Sequence, residues 1–374
     1  MQAVMGRGRE PREADPESYG RRRMRDKKTG ALIFLTFMIL IVALILYWLG
    51  NRMAGGEPKD YSTYSRHYAM ITAQGDEDFW NEVYESALAE GRERDVYVER
   101  FGANLAVDYD RGELLDMAVR ASVDGIIVAG DEEEETTALI DEAVEQGIPV
   151  VTVQNDCIES RRQCFVGCNN YNIGQEYGRQ ILKMLPDGVG RVLVLMDESR
   201  TDSGQNLILL AIRETLEEAL GNTDGMVVNL GDSGTAYASF TSGALGITVD
   251  TCSVDSSRDF SAEESIRDIF LGEELPDVLV CLNAVHTRCA YSAAVDYNKV
   301  GTVQMIGYYD SDTILDAVSK NIVQATVAPD TSQMGKLSVE ALDEYVETGY
   351  TNGYMAVDIH VITPDEAEEL MELP

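Results

Sequence analysis

The sequence predicts an α/β protein: two doubly wound parallel-sheet lobes preceded by one transmembrane helix. Three observations carry this reading. Strand-like and helix-like segments alternate from His67 almost to the C-terminus, the rhythm of a parallel sheet built by βαβ crossovers. The rhythm runs through to about residue 169 and then starts again, giving two lobes of comparable size. An uncharged apolar run, Ala31 to Gly50, stands ahead of both.

That run, ALIFLTFMILIVALILYWLG, holds one hydroxyl residue, Thr36. At ~1.5 Å rise per residue it spans roughly the ~30 Å hydrocarbon core of a bilayer. Tyr47 and Trp48 lie at its C-terminal edge, where interfacial aromatics belong. The cluster RRRMRDKK precedes it directly, so the positive-inside rule puts the N-terminus in the cytoplasm. A cleaved signal peptide has an apolar region of ~7–15 residues behind a short basic segment. Here the run is longer, residues 1–30 precede it, and no Cys follows as a lipid-attachment site. It therefore reads as a signal-anchor at 31–50, with a basic cytoplasmic tail at 1–30 and a linker at 51–65 (NRMAGGEPKDYSTYS). The protein is expected in the cell membrane as a single-pass chain, with the α/β part outside.

The charge balance agrees. Of 374 residues, 30 are Lys or Arg and 65 are Asp or Glu, a net charge of -35. Residues 1–30 hold nine basic and five acidic groups, which leaves 21 basic against 60 acidic beyond them. So acidic a surface excludes a nucleic-acid partner, whose phosphates need basic groups, and disfavours lying flat on anionic lipid. With 45% apolar and 25% charged residues the composition is that of a globular protein.

Each element follows from its pattern. HYAMIT is a strand, and FWNEVYESALAEGRER has helical spacing. VYVERFGA is the second strand and DRGELLDMAVRAS the second helix. VDGIIVAG is a continuous apolar run of the kind buried on both faces of a parallel sheet. DEEEETTALIDEAVEQG predicts a helix with acids in its first turn, where the macrodipole favours them, and IPVVTV is the next strand. FVGCNN then leads into the helix YNIGQEYGRQILKML, the strand RVLVLMD and the helix QNLILLAIRETLEEAL. After these come VDTCSVD, AEESIRDIFLG, DVLVCLN, TRCAYSAAVDYN, VQMIGYYD, TILDAVSKN, IVQATVAPD and MGKLSVEALDEYVETG.

Signals for catalysis are poor. GDSGT at 231–235 resembles a protease nucleophile loop only in part, and the chain has no Walker loop, HExxH or GxSxG at a strand-to-helix turn. His67, His286 and His360 lack ligand spacing. The acidic run 131–135 lacks the alternation and glycine of a Ca²⁺ loop. No CxxC occurs among the six cysteines, so neither a metal nor a cofactor is implied. Cys157 and Cys164 bracket a loop between strands expected to be neighbours, which makes them the disulfide candidate in an oxidising compartment. Cys281 and Cys289 are expected as buried free thiols.

The strand ends offer a different chemistry. Gln74, Phe79 and Trp80 follow the first strand, and Gln154, Asn155 and Asp156 follow the fourth. Asn283, Asp310 and Asp330 follow three later ones. Ligands of open α/β sheets bind at the carboxyl ends of strands. Aromatic faces there cover the apolar face of a sugar ring, and amides and carboxylates take its hydroxyls.

From about His67 to Thr363 the sequence resembles the type 1 periplasmic sugar-binding proteins, the ribose- and galactose-binding group whose fold also serves as the sensor half of lac-repressor-type regulators. VDGIIVAG, QGIPVVTVQND, FVGCNNYNIGQEYGRQI, DVLVCLNA, MIGYYDSDTILDAVSKNIVQATVAPDTSQMG and VDIHVIT carry the resemblance, in order. It implies two lobes joined by three crossings that close on a ligand, with an N-terminal lobe at 66–169 plus 331–350 and a C-terminal lobe at 170–330 plus 351–374. The first lobe would supply Gln74, Phe79, Trp80, Gln154, Asn155 and Asp156; Asn283, Asp310 and Asp330 would come from the second lobe and hinge. Gln154 and Asn155 stand where the family often has Asp-Arg. Gln205 and Asn206 stand where it often has an Arg, and residues 222–248 have no clear counterpart. The implied function is not enzymatic: a solute-binding protein that delivers a small polar ligand, a sugar foremost, to an ABC transporter permease. The alternative is a sensing subunit that presents its ligand state to a membrane histidine kinase.

Overall fold

The computed structural model describes residues 38, 64–73, 77–197, 203–220, 226–230, 236–241, 246–255, 259–272 and 274–372. Apart from Met38, the apolar run 31–50 lies outside the described residues, as do the tail 1–30 and nearly all of the linker. No helix among the described residues is long and apolar enough to cross a membrane.

The first sheet is built from β1 (Arg66–Ile71), β2 (Val96–Arg100), β3 (Gly125–Ala129), β4 (Val150–Val153), β5 (Cys164–Cys168) and, from far along the chain, β13 (Tyr354–Val357). Their order is β13-β5-β4-β3-β1-β2, parallel throughout. A parallel sheet must be covered on both faces, and side-chain alternation along β3 shows how. Ile126 and Val128 join Leu115 of α2 (Arg111–Ala121) and Ile140 of α3 (Glu134–Glu145) in one core layer. Ile127 and Ala129 face the other layer, with Phe79 and Val83 of α1 (Glu77–Glu93) and Val339 and Leu342 of α9 (Thr331–Thr348).

The second sheet holds β6 (Gly190–Asp197), β7 (Met226–Leu230), β8 (Ala236–Thr241), β9 (Ile247–Val254), β10 (Val278–Cys281), β11 (Gln304–Tyr308), β12 (Ala325–Pro329) and β14 (Ile359–Ile362). The order is β14-β12-β11-β10-β6-β9-β8-β7. Its centre is parallel, and antiparallel strands close both margins: β14 on β12, and the β7–β8 hairpin on β9. That hairpin occupies much of the stretch 222–248 that had no counterpart in the family pattern. The helices of this lobe are α4 (Asn170–Met184), α5 (Ser203–Leu220), α6 (Asp259–Leu271), α7 (Ala284–Asp296), α8 (Asp312–Ser319) and α10 (Pro364–Glu372).

The chain passes between the sheets at Asn169, Asp330 and Asp358. Two of these residues are helix caps. Asn169 Oδ1 accepts from the Tyr171 and Asn172 N–H groups at the start of α4, and Asp330 accepts from Gln333 N–H at the start of α9. The second and third crossings are tied together, with Asp330 N–H donating to Asp358 O at 3.0 Å and Asp358 N–H to Gln333 Oε1 at 2.6 Å.

Two expectations are corrected and a third is met. Residues 351–357, assigned to the C-terminal lobe, run instead into β13 of the first sheet, where Tyr354 is in register with Phe165 and their rings stack at 5.4 Å. The acidic helix does carry acids, Glu134 and Glu135, in its first turn, while Asp131 lies ahead of it and pairs with Arg111 at 2.8 Å. Cys157 and Cys164 are free thiols. Their strands are neighbours, but Cys157 belongs to the α2–α3 layer and Cys164 to the α1–α9 layer, so the sheet itself separates them. Burial pushes the Cys164 thiol up to about 11.

Two results follow. A Cβ on Gly335 of α9 would sit 2.1 Å from Val83 O of α1 and 2.8 Å from Ala87 N, so the two backbones touch through a position that takes no side chain. Gly335→Ala should cost ~1–3 kcal/mol, while Gly353→Ala, with nothing within 4 Å of the added carbon, should stay within ~0.5 kcal/mol. Thermal melts of the two variants decide it, and equal melts would contradict the close packing. Thiol labelling of the unreduced, denatured protein should count six cysteines; a count of four would restore a bridge.

Candidate functional site

The carboxyl ends of the two sheets are where the strands stop and their backbones turn. At equivalent places the two lobes make the same unusual turn. Gln154 follows β4 and Tyr309 follows β11, both non-glycine residues in the left-handed region, at φ 68° and 77°. Each donates its N–H across to the next strand, Gln154 to Val166 O of β5 and Tyr309 to Val327 O of β12, both at 3.0 Å. Left-handed backbone at such residues costs of order 1–3 kcal/mol and collects at ligand sites. Here it turns one side chain of each lobe off the end of its strand.

Aromatic side chains meet between the lobes. Phe79, in the first turn of α1, is fully buried, and its ring lies 5.5 Å from the Tyr309 ring at a steep 69°. Trp80 is also buried and packs edge-on to Phe79 at 5.1 Å. Phe79 comes from the first lobe and Tyr309 from the second, so the lobes are in contact at this point.

Polar residues follow each of these aromatics in the chain. Asp310 follows Tyr309, and its carboxyl is pushed up to about 6, first by burial and then by the nearby charge of Glu82, with Asp330 adding to it. Its own backbone N–H and His360 pull the other way. Glu82 stands on α1 one turn beyond Phe79 and accepts from Thr331 Oγ1 at 2.8 Å. Ser311 is 6% exposed, and its Oγ has no hydrogen-bond partner. Gln154 Oε1 is likewise a buried oxygen without one. Buried polar atoms are nearly always bonded, so two orphans on two lobes are unsatisfied groups of the kind that a ligand completes.

The structure divides the sequence-predicted residues. Phe79 and Asp310 are brought together, through Tyr309. Gln154 offers its unpaired oxygen. Asn283 and Asp330 each spend one side-chain oxygen on a helix N-terminus, Asn283 accepting from His286 N–H at 2.7 Å and Asp330 from Gln333 N–H at 2.7 Å. Asp156 turns inward to its own loop: it accepts from Cys157 N–H at 2.7 Å, from Thr152 Oγ1 at 3.1 Å and from Arg162 Nη2 at 2.5 Å. Its charge is spent on folding the stretch 156–162. Among the described residues no hydrogen bond involves the Asn155 side chain, while its carbonyl lies so close to Gly130 that a Cβ there would be 2.1 Å away. Gln74 lies outside the described residues. Gln205 braces the end of β6, accepting from Asp197 N–H at 2.7 Å and donating to Asp197 O at 3.2 Å. The residues missed from sequence are Glu82, Tyr309, Ser311 and His360. Helical spacing from Phe79 was the available signal for Glu82; the others sit beside residues already named or on the returning strand. Among the described residues no group of three His, Cys, Asp or Glu side chains is arranged to hold a metal ion.

The raised Asp310 carboxyl has a consequence for stability. It binds a proton more readily in the folded chain than in the unfolded one, where its value is near ~4. Stability therefore falls as pH rises from ~4 to about 6, and the cost of the buried charge persists above that. Asp310→Asn should stabilise the ligand-free protein at pH 7.5 by at most ~3 kcal/mol, seen as a higher melting temperature, and should give little gain at pH 4. A gain that is the same at both pH values would assign the effect to packing instead.

A family model described as a periplasmic binding protein domain matches residues 68–350. Solved structures share the fold. GanP, a glucose-galactose binding protein from Geobacillus stearothermophilus, is 22% identical with a TM-score of 0.67, covering 80% of this chain and 98% of its own. A sugar-binding protein of a sugar ABC transporter from Bacillus halodurans is 21% identical with a TM-score of 0.65, over 81% and 99% of the two chains. XylFII, solved alone and in a XylFII–LytSN complex, is 24% identical with a TM-score of 0.63 for the molecule alone, over 80% and 98%. No curated protein sequence matches. With the two parallel sheets, the three crossings and this match in agreement, the chain belongs to the periplasmic binding protein domain family.

Proposed function

We propose that the chain is a membrane-anchored, extracytoplasmic solute-binding protein that captures a small polar ligand, a sugar, between its lobes for an ABC importer. The observation that carries the reading is the meeting of Phe79 and Tyr309 from opposite lobes, together with a buried polar oxygen on each lobe, Gln154 Oε1 and Ser311 Oγ, that no group among the described residues satisfies. An aromatic wall with a few convergent polar groups is the usual make-up of a small-molecule site. Binding needs no bond chemistry. Closure removes the ligand from water, and its hydrogen bonds hold the closed state in preference to the open one. The solved neighbours described as sugar-binding support the ligand class. Anchoring rests on the run 31–50 and the basic cluster before it.

A second reading has its own support. The neighbour XylFII is solved in complex with LytSN, so a protein of this fold assembles with a partner. In this reading the chain senses the same ligand and presents the closed state to a membrane histidine kinase. Cross-linking in the native membrane separates the two: a permease captured in a ligand-dependent way supports import, and a kinase supports sensing.

The ligand reading is tested by thermal melts of the full chain in detergent against monosaccharides, short oligosaccharides, polyols, nucleosides and amino acids. A ligand that binds only the folded state at one hundred times its Kd adds ~2.7 kcal/mol. A selective rise with sugars is expected, and a rise confined to another class would discard the sugar assignment.

A further inference from the structure

We infer that the loop joining β2 to α2 is a docking surface for another protein, one that offers an apolar pocket flanked by Lys and Arg. The loop runs from Phe101 to Asp110, and residues 103–110 are all exposed. Three of them are large and apolar: Leu105 at 46%, Val107 at 61% and Tyr109 at 36% exposure. One exposed apolar side chain is ordinary, but three within five residues make a patch of the kind that marks an interaction site. The fold holds this loop at both ends. Phe101 N–H donates to Met70 O at 2.9 Å, and its ring and Leu114 both pack on the α2–α3 core layer. Gly102 turns the chain at φ 89°, where a Cβ would meet Leu114 at 2.6 Å. At the far end Asp110 and Glu113 form a reciprocal capping box at the start of α2. Fixing both ends limits the freedom that the loop loses on binding.

The charges beside the patch say which partner it fits. Segments 101–116 and 129–135 hold nine acidic residues and one basic residue, Arg111. The second segment lies against the start of α2: Arg111 pairs with Asp131 at 2.8 Å, and a Cβ on Gly112 would be 3.6 Å from Glu135 Oε1. Arg111 is spent within the fold, since it also donates to Ala129 O at 2.9 Å. Arg100, just before the loop, is turned to Asn81. Asp108 and Glu132 to Glu135 are exposed. Exposed carboxylates alone carry no such meaning in so acidic a chain. An apolar patch with a margin of one sign is different, because it has the anatomy of an interface: charge steers the encounter, and aromatic and aliphatic groups that leave water hold it. The same margin argues against two other occupants. A second copy docked symmetrically would set the carboxylates against their own kind, and an anionic bilayer would repel them. The loop leaves the carboxyl end of the first sheet, the end at which Gln154 follows β4, so a partner seated here stands at the ligand-facing end of that lobe.

The experiment is photo-cross-linking of the full-length protein in its native membrane, with p-benzoyl-L-phenylalanine in place of Val107. The control carries the same group in place of Val300, which is exposed ahead of β11 on the second lobe. Mass spectrometry identifies the attached peptide. Position 107 should form an adduct with one other protein, at a peptide in which Lys and Arg outnumber Asp and Glu, and position 300 should not. Changing Glu132→Gln, Glu133→Gln, Glu134→Gln and Glu135→Gln together should lower the yield at least ~5-fold, as should ~500 mM salt in place of ~50 mM. Tyr109→Ser should lower it at least ~5-fold at either salt concentration. Thermal melts check that each variant folds. An adduct with a second copy or with lipid would overturn the inference, as would an acidic peptide or the same adduct from position 300. So would no adduct at all, or a yield indifferent to the Gln changes. Sugar melts of the Val107 variant report on the ligand site separately, so any of these failures leaves the sugar-binding reading standing.

Discussion

The seat of α9 on α1 is the constraint on which the rest of the molecule depends. By residue 330 the chain has built the second sheet and must return to the first, and it does so by laying one long helix across it. Contact is made at backbone distance through Gly335, and the far end is fixed by Asp343, buried at 4% exposure. Arg66 pairs with one Asp343 oxygen, Arg94 Nη1 reaches the other at 3.3 Å, and Tyr68 OH lies at 3.5 Å. Arg66 opens β1 and Arg94 follows α1, so one carboxylate ties the first strand and the first helix to a helix near the end of the chain. Breaking a buried ion pair by removing one partner costs ~3–5 kcal/mol, so this tie is strong in the direction that matters. The same helix is capped at its start by Asp330, the hinge residue beside the proposed ligand site.

From that fixed hinge the two lobes repeat one local solution. Each ends a central strand with a residue held in the left-handed region, and each pins that residue with an N–H bond to the neighbouring strand. The repetition places Gln154 and Tyr309 in equivalent positions on facing sheets. It also explains why the polar residues divide as they do. Side chains that cap a helix or brace a strand, such as Asn169, Asp156 and Gln205, use their oxygens within the protein. Gln154 Oε1 and Ser311 Oγ, by contrast, find no hydrogen-bond partner among the described residues.

Much of this was legible in the sequence because burial writes itself as pattern. VDGIIVAG is buried on both faces and reads as an unbroken apolar run; its strand, β3, is buried at every position. The helices α1 and α9 carried their apolar spacing openly. What pattern does not encode is which sheet a short late strand joins, and β13, four residues long and half exposed, joins the first by pairing with β5. Nor does spacing say on which side of a sheet a thiol falls, so Cys157 and Cys164 looked like partners and lie in different layers. Asp156 stood at a strand end like the other candidates, but its Arg162 partner six residues on is visible only once the loop is folded. Tyr309 was hidden for the opposite reason: the left-handed turn that directs it is a property of the backbone, and its neighbour Asp310 drew the notice.

A strongly acidic protein has carboxylates everywhere, and most of them say nothing about function because water screens them. What separates the informative ones is burial together with the sign of their neighbours. Asp343 and Asp310 make the comparison within one chain. Asp343 is buried and Asp310 half-buried. Asp343 is held by two guanidinium groups and a phenol, which is the arrangement of a residue whose work is to hold the fold together. Asp310 has no such cation pair, and burial, then the charge of Glu82 with Asp330 adding to it, raises its proton affinity against its own backbone N–H and His360. Folding alone gives no reason to keep such a group, since a neutral side chain there would be more stable. Its cost is that of a group kept for something other than the fold, and its position, next to the Phe79–Tyr309 contact between the lobes, is where the proposed ligand would enter.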